Sequence, residues 1–152
     1  MSGFNRGMRT SATDEWCTPA DLFAELDSEF RFTLDVASTD ENALCERHYT
    51  KREDGLAQPW DGSVWCNPPY GGEIGKWMKK AAQTDRGGVV VCLVPARTDT
   101  RWWHEYVAGR ASEVRFIKGR LRFSGSGSAP FPSAVVIYDK RRSRWWSVGG
   151  RC

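Results

Sequence analysis

The residues with the clearest chemical potential are four consecutive ones, Asn67-Pro68-Pro69-Tyr70, which follow an apolar run at 64–66. A residue before proline is pushed out of the helical region, so Asn67 and Pro68 are both extended, and neither proline has an N–H to donate. The side-chain oxygen of Asn67 and the carbonyl oxygen of Pro68 can each accept one hydrogen from a single NH2 group. The Tyr70 ring adds a flat face on which a base can stack.

Adenine carries an amine that matches this arrangement. Its exocyclic nitrogen is a poor nucleophile because the lone pair is delocalised into the ring, and two aligned acceptors would localise that pair towards a methyl donor. The same residues could instead form only a rigid turn that ends a strand. However, Asn-Pro-Pro-aromatic should occur by chance in a chain of this size on the order of once in a thousand. The motif therefore predicts a site for a planar NH2 group.

Alternating helix and strand signals predict the elements that position this motif. Thr18 and Pro19 are typical of a helix start, with Thr18 at the N-cap and Pro19 at the first helical position. Residues 38–50 are polar and predict an irregular turn or a short helix. Helical spacing of apolar residues extends to residue 30 and recurs at 74–82 and 101–108. Strands are predicted at 32–36, 63–66, 88–95, 112–117, 120–123 and 133–138.

This order of elements predicts an α/β fold with a mostly parallel sheet. A closing antiparallel hairpin is expected where 144–148 returns along 133–138. Ligands of such sheets gather at the carboxyl ends of the strands, where Asp35, Asn67 and residues 95–97 would meet. With 152 residues, 40% of them hydrophobic, the chain can bury one core. We therefore expect one catalytic domain over 14–152, preceded by a flexible segment over 1–13.

The composition argues against several other classes of protein. The first residues lack the apolar stretch of a signal peptide and no run approaches transmembrane length, so we expect a cytoplasmic protein without a membrane partner. The five cysteines are scattered, which suits a reducing compartment. Cys45 and His48 form a single C-x-x-H pair, whereas structural zinc needs four ligands, so no metal is expected. The segment 71–77 lacks the spacing of a phosphate-binding loop.

Positive charge is concentrated in the second half of the chain. Residues 1–96 contain 10 Lys and Arg against 15 Asp and Glu, whereas residues 97–152 contain 12 against 4. The basic half also contains tryptophans and phenylalanines, and this mixture suits the phosphates and unstacked bases of a nucleic acid. A solvated basic face would look similar in sequence. The candidate phosphate contacts are Arg97, Arg101, Arg120, Arg122, Arg141 and Arg142.

Several short segments occur in an order that resembles a known family. They are W-C-T-P at 16–19, L-D-V-A-S-T-D-E-N-A at 34–43, E-D-G-L-A-Q-P-W at 53–60, N-P-P-Y-G at 67–71, V-P-A-R-T-D-T-R-W-W-H at 94–104, G-R-L-R-F at 119–123 and A-P-F-P-S-A-V-V at 129–136. This series is similar to that of the phage-encoded Dam-type DNA N6-adenine methyltransferases. The resemblance spans about residues 15–138.

The resemblance implies a single Rossmann-like domain that uses S-adenosylmethionine to methylate a flipped-out adenine in double-stranded DNA by direct transfer. In this family the Asn67-Pro68-Pro69-Tyr70 motif receives the adenine. By the same resemblance, Thr18 and Pro19 border the methionine part of the cofactor, Asp35 lies beside the cofactor, and Asp54 meets the cofactor's adenine amine.

One segment departs from the usual nucleotide-binding pattern. Residues 36–39 read Val-Ala-Ser-Thr where a glycine-rich turn is common, and the acid that usually binds the ribose could be replaced by Asp40 or Glu41. Two alternatives stay open. The chain could methylate another planar amine, such as an RNA base or a protein amide, or it could be a catalytically inactive DNA-binding relative.

Overall fold

A five-stranded sheet organises the protein, and a computed structural model describes it over residues 16–84, 87–123 and 127–141. The strands are β1 (Leu34–Asp35), β2 (Gly62–Cys66), β3 (Gly87–Pro95), β4 (Glu113–Phe116) and β5 (Ser133–Asp139). The α-helices are α1 (Ala20–Phe30) and α2 (Ile74–Gln83). A 3-10 helix covers Gly55–Ala57, and a π-helix covers Trp103–Val107.

The sheet has the strand order β1-β2-β3-β5-β4. β1, β2 and β3 are mutually parallel, whereas β5 is antiparallel to both of its neighbours, β3 and β4. The sheet is therefore mixed but mostly parallel, and the predicted α/β class is confirmed. β3 and β5 lie at the centre and are buried along almost their whole length, which explains why both are apolar runs without polar alternation.

The pairing register defines two edges of the sheet. β1, β2 and β3 end at Asp35, Cys66 and Pro95, so their carboxyl ends lie together at one end of the sheet. We call this border, which is formed by strand ends and not by an outer strand, the site edge. β5 begins there, because Ser133 pairs with Pro95, and it runs away to pair Asp139 with Val89 at the opposite edge. Six residues of strand separate the two edges, a distance of about 20 Å.

Helix α2 connects β2 to β3 and shows why the sequence folds as predicted here. Its buried side chains, Ile74, Trp77, Met78, Ala81 and Ala82, recur at spacings of three and four residues, which places them on one face against the sheet. Helix α1 packs near β1 and β2 in the same manner, with Leu26 and Phe30 buried. Trp60 and Trp65 are the largest fully buried side chains of this core.

Several elements differ from their sequence predictions. Helix α1 begins at Ala20, with Pro19 in the N-cap position, and the Thr18 side chain does not cap it. The helix predicted at 101–108 continues as a π-helix over Trp103–Val107, in which the Ala108 N–H donates to the carbonyl of Trp103. The strand predicted at 120–123 is wrong, since an isolated bridge between Arg122 and Ser128 is its only ladder pairing among the described residues.

The antiparallel pairing that the structure shows at this end of the sheet is between β4 and β5. The predicted hairpin arm at 144–148 lies outside the described residues, as does the segment 1–13, so the domain boundaries stay a prediction. Within 16–84, 87–123 and 127–141, no helix combines the length and the apolar character needed to cross a bilayer.

Candidate active site

The Asn67 side chain is fixed in one orientation at the carboxyl end of β2. Its amide nitrogen donates to the backbone carbonyl of Trp16 and to the Thr18 hydroxyl, the latter at 3.0 Å. A carbonyl can only accept, so the amide nitrogen must face Trp16 and the oxygen must point the other way. That oxygen, Oδ1, is buried and has no hydrogen-bond partner among the described residues. The side chain thus presents one aimed, unused acceptor.

Two other buried side-chain oxygens also lack a partner in the described residues, Ser38 Oγ and Ser133 Oγ. Ser38 follows β1 and Ser133 opens β5 beside Pro95, so all three unpartnered atoms lie at the site edge. Buried polar atoms are nearly always hydrogen-bonded, because an unmade bond costs about 1–3 kcal/mol. Their concentration at one edge marks a place where a polar ligand or ordered water can bind.

Tyr70 is the rigid wall of this site. Its ring is 4% exposed, and its hydroxyl donates to the carbonyl of Leu93 at 2.9 Å. Burial raises the pKa of the Tyr70 hydroxyl, which therefore stays neutral. Phe131 and Phe123 pack against the ring at steep angles, with centroids 5.6 and 6.3 Å away. The predicted stacking face of Tyr70 therefore belongs to an aromatic cluster.

Trp16 completes this cluster from the segment before α1. Its ring meets Phe123 at 5.1 Å and Phe131 at 5.5 Å between centroids, in both cases edge to face. The guanidinium of Arg97 lies 5.8 Å from the Phe131 centroid, within the range of a cation–π contact. An aromatic lining next to the unused Asn67 oxygen suits a flat, partly polar ligand.

Asp35 organises the turn after β1. It is 2% exposed, and its two carboxylate oxygens accept from the N–H groups of Ala37 and Leu44 at 3.3 and 3.0 Å. Burial raises the pKa of this carboxyl, while the two N–H groups and nearby His48 oppose the rise. Both oxygens serve the protein's own backbone, so the structure shows a structural use for Asp35, and its predicted contact with a cofactor stays a prediction.

Asp54 sits at a strained turn that packs on β1. Its φ of +58° is uncommon for a residue with a side chain, and its Oδ1 accepts from the Leu56 N–H at 3.2 Å. The carboxylate is otherwise exposed and available. The next residue, Gly55, is buried so close to Val36 that a Cβ on it would lie 2.1 Å from the Val36 carbonyl oxygen. Strain of this kind often marks a binding site.

Lys80 of α2 fixes the turn at residues 54–58 through hydrogen bonds to its backbone. Its Nζ donates to the backbone carbonyls of Leu56, at 2.8 Å, and Gln58, and it lies 5.5 Å from the Trp60 ring centroid. Burial lowers the pKa of this ammonium, while the nearby Asp54 carboxylate raises it. The Trp60 indole N–H also donates to the carbonyl of Gly55, at 2.8 Å. The position of Asp54 is therefore set by the core.

His48 ties the far end of the β1 turn through both ring nitrogens. Nδ1 lies 2.9 Å from the Glu46 carbonyl oxygen, and Nε2 lies 2.8 Å from the Asp40 carboxylate. Both neighbours accept hydrogen bonds, so only the doubly protonated ring can donate to both. The hydrogen bond to Asp40, then that to Glu46, raises the pKa of His48, and the Asp35 carboxylate adds to the effect.

This geometry makes stability depend on pH. A raised pKa in the folded protein means that the stabilisation is complete below the ordinary imidazole pKa of about 6.5 and is lost as pH rises through the folded value. We expect the difference in unfolding free energy between wild type and His48→Gln to shrink from pH 6 to pH 9. Urea unfolding at each pH measures it, and a difference that stayed constant would contradict a charged His48.

The predicted DNA-contacting arginines fall into two groups. Arg97 and Arg101 follow β3, and Arg120 and Arg122 lie in the loop that enters β5, so all four are exposed at the site edge. Arg101 pairs with Glu105 at 3.8 Å, whereas no salt bridge within the described residues involves the other three.

Arg141 does not join them. It follows β5 at the opposite edge and pairs with the buried carboxylate of Asp139 at 3.1 Å. The structure therefore does not bring Arg141 to the site, because β5 runs antiparallel and carries its end away from Asn67. Arg142 lies outside the described residues.

Sequence reasoning missed several residues of the site. Trp16 contributes a backbone carbonyl, which no sequence pattern reveals. The sequence predicts Thr18 at the site, but not its bond from Asn67. Phe131 lies in one of the segments that resemble the family, but its sequence context predicts no role for it. Ser38 could have been found, because it occupies the turn in which glycines were missing.

Comparisons with known proteins point to one family. The sequence profile of the family described as DNA N-6-adenine-methyltransferase (Dam) matches residues 6–138. The chain is 32% identical over 112 residues to the DNA N-6-adenine-methyltransferase of Escherichia phage T1, which covers 71% of this chain and 46% of that protein. It is 34% identical over 65 residues to YfdM of Escherichia coli (strain K12), provisionally named a methyltransferase, covering 38% and 71% of the two chains.

A solved structure shares the fold. PH1948 from Pyrococcus horikoshii, provisionally named an RNA methyltransferase, superposes with a TM-score of 0.56 at 12% identity, over 83% of this chain and 85% of that one. The likeness supports the predicted Rossmann-like α/β fold. The chain spans about half the length of the phage T1 protein. Because the family profile covers most of its residues, the chain belongs to the DNA N-6-adenine-methyltransferase (Dam) family.

Proposed function

We propose that this protein transfers a methyl group from S-adenosylmethionine to the N6 amine of adenine in double-stranded DNA. One observation carries the proposal: Asn67 Oδ1 is a buried acceptor, locked in direction by Trp16 and Thr18, with no partner in the part of the chain that the structure describes. An acceptor left open in this way fits a ligand that brings a donor, as an aromatic NH2 group does.

Asn67 and Pro68 would hold the two hydrogens of that amine. The cofactor, when bound, supplies a methyl group on a positively charged sulfur. Each accepted hydrogen draws electron density back to the amine nitrogen, and both contacts strengthen as that nitrogen gains positive charge. Stronger binding of the transition state than of the ground state is what accelerates a step. No side chain needs to form a covalent bond with the substrate.

The aromatic cluster around Tyr70 would receive the base. A base inside a duplex cannot reach a buried acceptor, so the adenine must leave the stack, as it does for other enzymes that modify bases. Tyr70 is anchored through its hydroxyl and packed against Phe131, so its ring would stay in place as a fixed wall beside the entering base. The rigid Pro68-Pro69 step keeps ring and acceptors in register.

The turn residues at the site edge would hold the cofactor. The exposed carboxylate of Asp54 can accept from an adenine amine, and the Thr18-Pro19 segment lies beside Asn67, where the methyl donor must approach. Asp35 would act through the turn whose N–H groups it holds. The residues proposed to hold the cofactor are neutral or acidic, and this suits a ligand that carries a cation such as the sulfonium group.

The DNA would lie along the site edge, where Arg97, Arg120 and Arg122 are exposed. Replacing these three with glutamine should weaken binding to all DNA sequences alike and reduce the slope of log affinity against log salt by about 0.9 for each lost phosphate contact. Affinity measured by fluorescence anisotropy across a salt series gives that slope.

Lys79→Gln is the matched control, because Lys79 is an exposed cation in the second half of α2, towards the opposite edge. Its salt slope should equal that of the wild type. A triple variant with the wild-type slope and affinity would place the DNA elsewhere on the surface, for example at the edge that carries Arg141.

The experiment that tests this function compares acceptors. Wild-type protein is incubated with methyl-labelled S-adenosylmethionine and, in parallel, with duplex DNA, RNA or protein. We expect label in DNA alone. Label in RNA or in protein amides would favour a methyltransferase of another planar amine. No label in any acceptor, with no S-adenosylmethionine binding by calorimetry, would favour an inactive DNA-binding relative. Activity on DNA also implies action in the cytoplasm, where the cofactor and DNA are found together.

A further inference from the structure

The turn after β1 contains a polar atom with no assigned role. Ser38 Oγ is buried and has no hydrogen-bond partner in the described residues, although Ser38 occupies a turn that faces the site edge. A hydroxyl both donates and accepts, so leaving it unpaired forfeits two bonds. A buried polar atom without a hydrogen bond calls for an explanation, and one explanation is a ligand that binds to it.

The backbone N–H groups of this turn already make hydrogen bonds within the protein. Its four N–H groups, at residues 36 to 39, donate in order to Trp65 O, Asp35 Oδ1, Tyr49 O and Asn42 Oδ1, at 3.1, 3.3, 3.1 and 2.7 Å. A glycine-rich turn binds its ligand through such N–H groups. Here the protein itself uses all four N–H groups, so a ligand would have to be bound by other polar groups of the turn. The Ser38 hydroxyl is such a group, buried and without a partner in the described residues.

Two contacts of neighbouring residues connect the turn that contains Ser38 to the segments proposed to hold the two ends of the cofactor. On one side, the Gly55 backbone packs directly on the carbonyl of Val36, which brings the Asp54 turn against this one. On the other side, the Asn42 amide lies 3.8 Å from the Cys17 sulfur, next to Thr18. The ribose is the part of the cofactor between its adenine and its methionine.

We propose that Ser38 Oγ binds a ribose hydroxyl of the cofactor, in place of the acidic residue that usually does so. The inference rests on the proposed function, since it assumes the same cofactor. It differs from the sequence prediction that Asp40 or Glu41 takes this role; the Asp40 carboxylate lies 2.8 Å from Nε2 of His48.

The test is a chemical double-mutant cycle by calorimetry. Wild type and Ser38→Ala are titrated with S-adenosylhomocysteine and with its 2′-deoxy and 3′-deoxy analogues. We expect the wild type to bind one deoxy analogue about tenfold more weakly than the parent, the effect of losing one good hydrogen bond. Ser38→Ala should bind the parent about tenfold more weakly and no longer distinguish that analogue from it.

The unliganded protein gives a second readout. An unpaired buried hydroxyl is unfavourable, so Ser38→Ala without ligand should melt at the wild-type temperature or above it. Ser28→Ala is the matched control, because Ser28 is exposed on α1 and donates within its own helix. This variant should keep wild-type affinity for all three ligands.

Two results would overturn the inference. One is a Ser38→Ala protein that discriminates between parent and analogues as the wild type does. The other is a lower melting temperature with an equal loss of affinity for every ligand, which would mean a purely structural serine. A wild type that binds none of the ligands would instead contradict the proposed function.

Discussion

Replacing Asn67 with alanine should reduce methyl transfer to DNA by on the order of a hundredfold or more, the usual cost of removing one aimed polar group at a reacting centre. The variant loses the buried, unpartnered Oδ1 that we assign to the target amine. Single-turnover transfer at saturating cofactor and DNA measures the chemical step alone. We expect the loss to appear in that rate.

Two measurements on the same variant separate chemistry from folding. Asn67→Ala also removes the bonds to Trp16 and Thr18, so its unfolding free energy should fall by about 1–3 kcal/mol. Its affinity for S-adenosylmethionine should fall far less than the transfer rate, because the loss of the bond to Thr18 leaves Asp54 and the β1 turn in place. An Asn67→Ala protein that kept most of its single-turnover rate would show that the amine binds elsewhere.

Gly55→Ala should destabilise the fold strongly, because its added Cβ makes a closer backbone contact than a Cβ on Gly62, Gly72 or Gly75. The new Cβ would lie 2.1 Å from the Val36 carbonyl oxygen and 3.1 Å from the Trp77 ring, and neither a strand end nor a buried indole can move easily. Overpacking of a core commonly costs about 1–3 kcal/mol, and a backbone clash should reach or exceed the upper value. Affinity for S-adenosylmethionine should also fall, because the Asp54 turn is displaced.

Gly72→Ala is the control for this prediction. No atom lies within 4 Å of a Cβ built on Gly72, so its effect should stay within about 0.5 kcal/mol. Urea unfolding of the two variants beside the wild type gives both values. Equal stability of Gly55→Ala and Gly72→Ala would mean that the 54–57 turn does not pack on β1 as described.

The parts of the fold that depend on local pattern could be predicted from the sequence. An apolar run indicates a buried strand, as in β3 and β5, and apolar residues at helical spacing indicate a helix, as in α2. The segment 120–123 has the alternation of a strand, but Phe123 turns into the aromatic cluster of Trp16 and Tyr70, and the ladder stops. The π-helix likewise depends on how Trp103 and Val107 are buried, which their spacing alone does not determine.

In the site, too, some residues could be assigned from the sequence and others only from the fold. Asn67 could be assigned from its neighbours in sequence, because two prolines fix the backbone there. Its partner, the Trp16 carbonyl, is 51 residues away and carries no signature. Arg141 was grouped with the other arginines by charge, yet the antiparallel direction of β5 takes it to the opposite edge. Local chemistry can thus be predicted, whereas long-range placement requires the fold.

The most direct test of the central claim identifies the methylated base. Duplex DNA is treated with the protein and methyl-labelled S-adenosylmethionine, digested to nucleosides and separated by mass spectrometry. The geometry at Asn67, Pro68 and Tyr70 predicts label in N6-methyl-2′-deoxyadenosine and in no other nucleoside. Label on the cytosine amine, or unlabelled DNA from a protein that binds the cofactor, would contradict the assignment of this site to adenine.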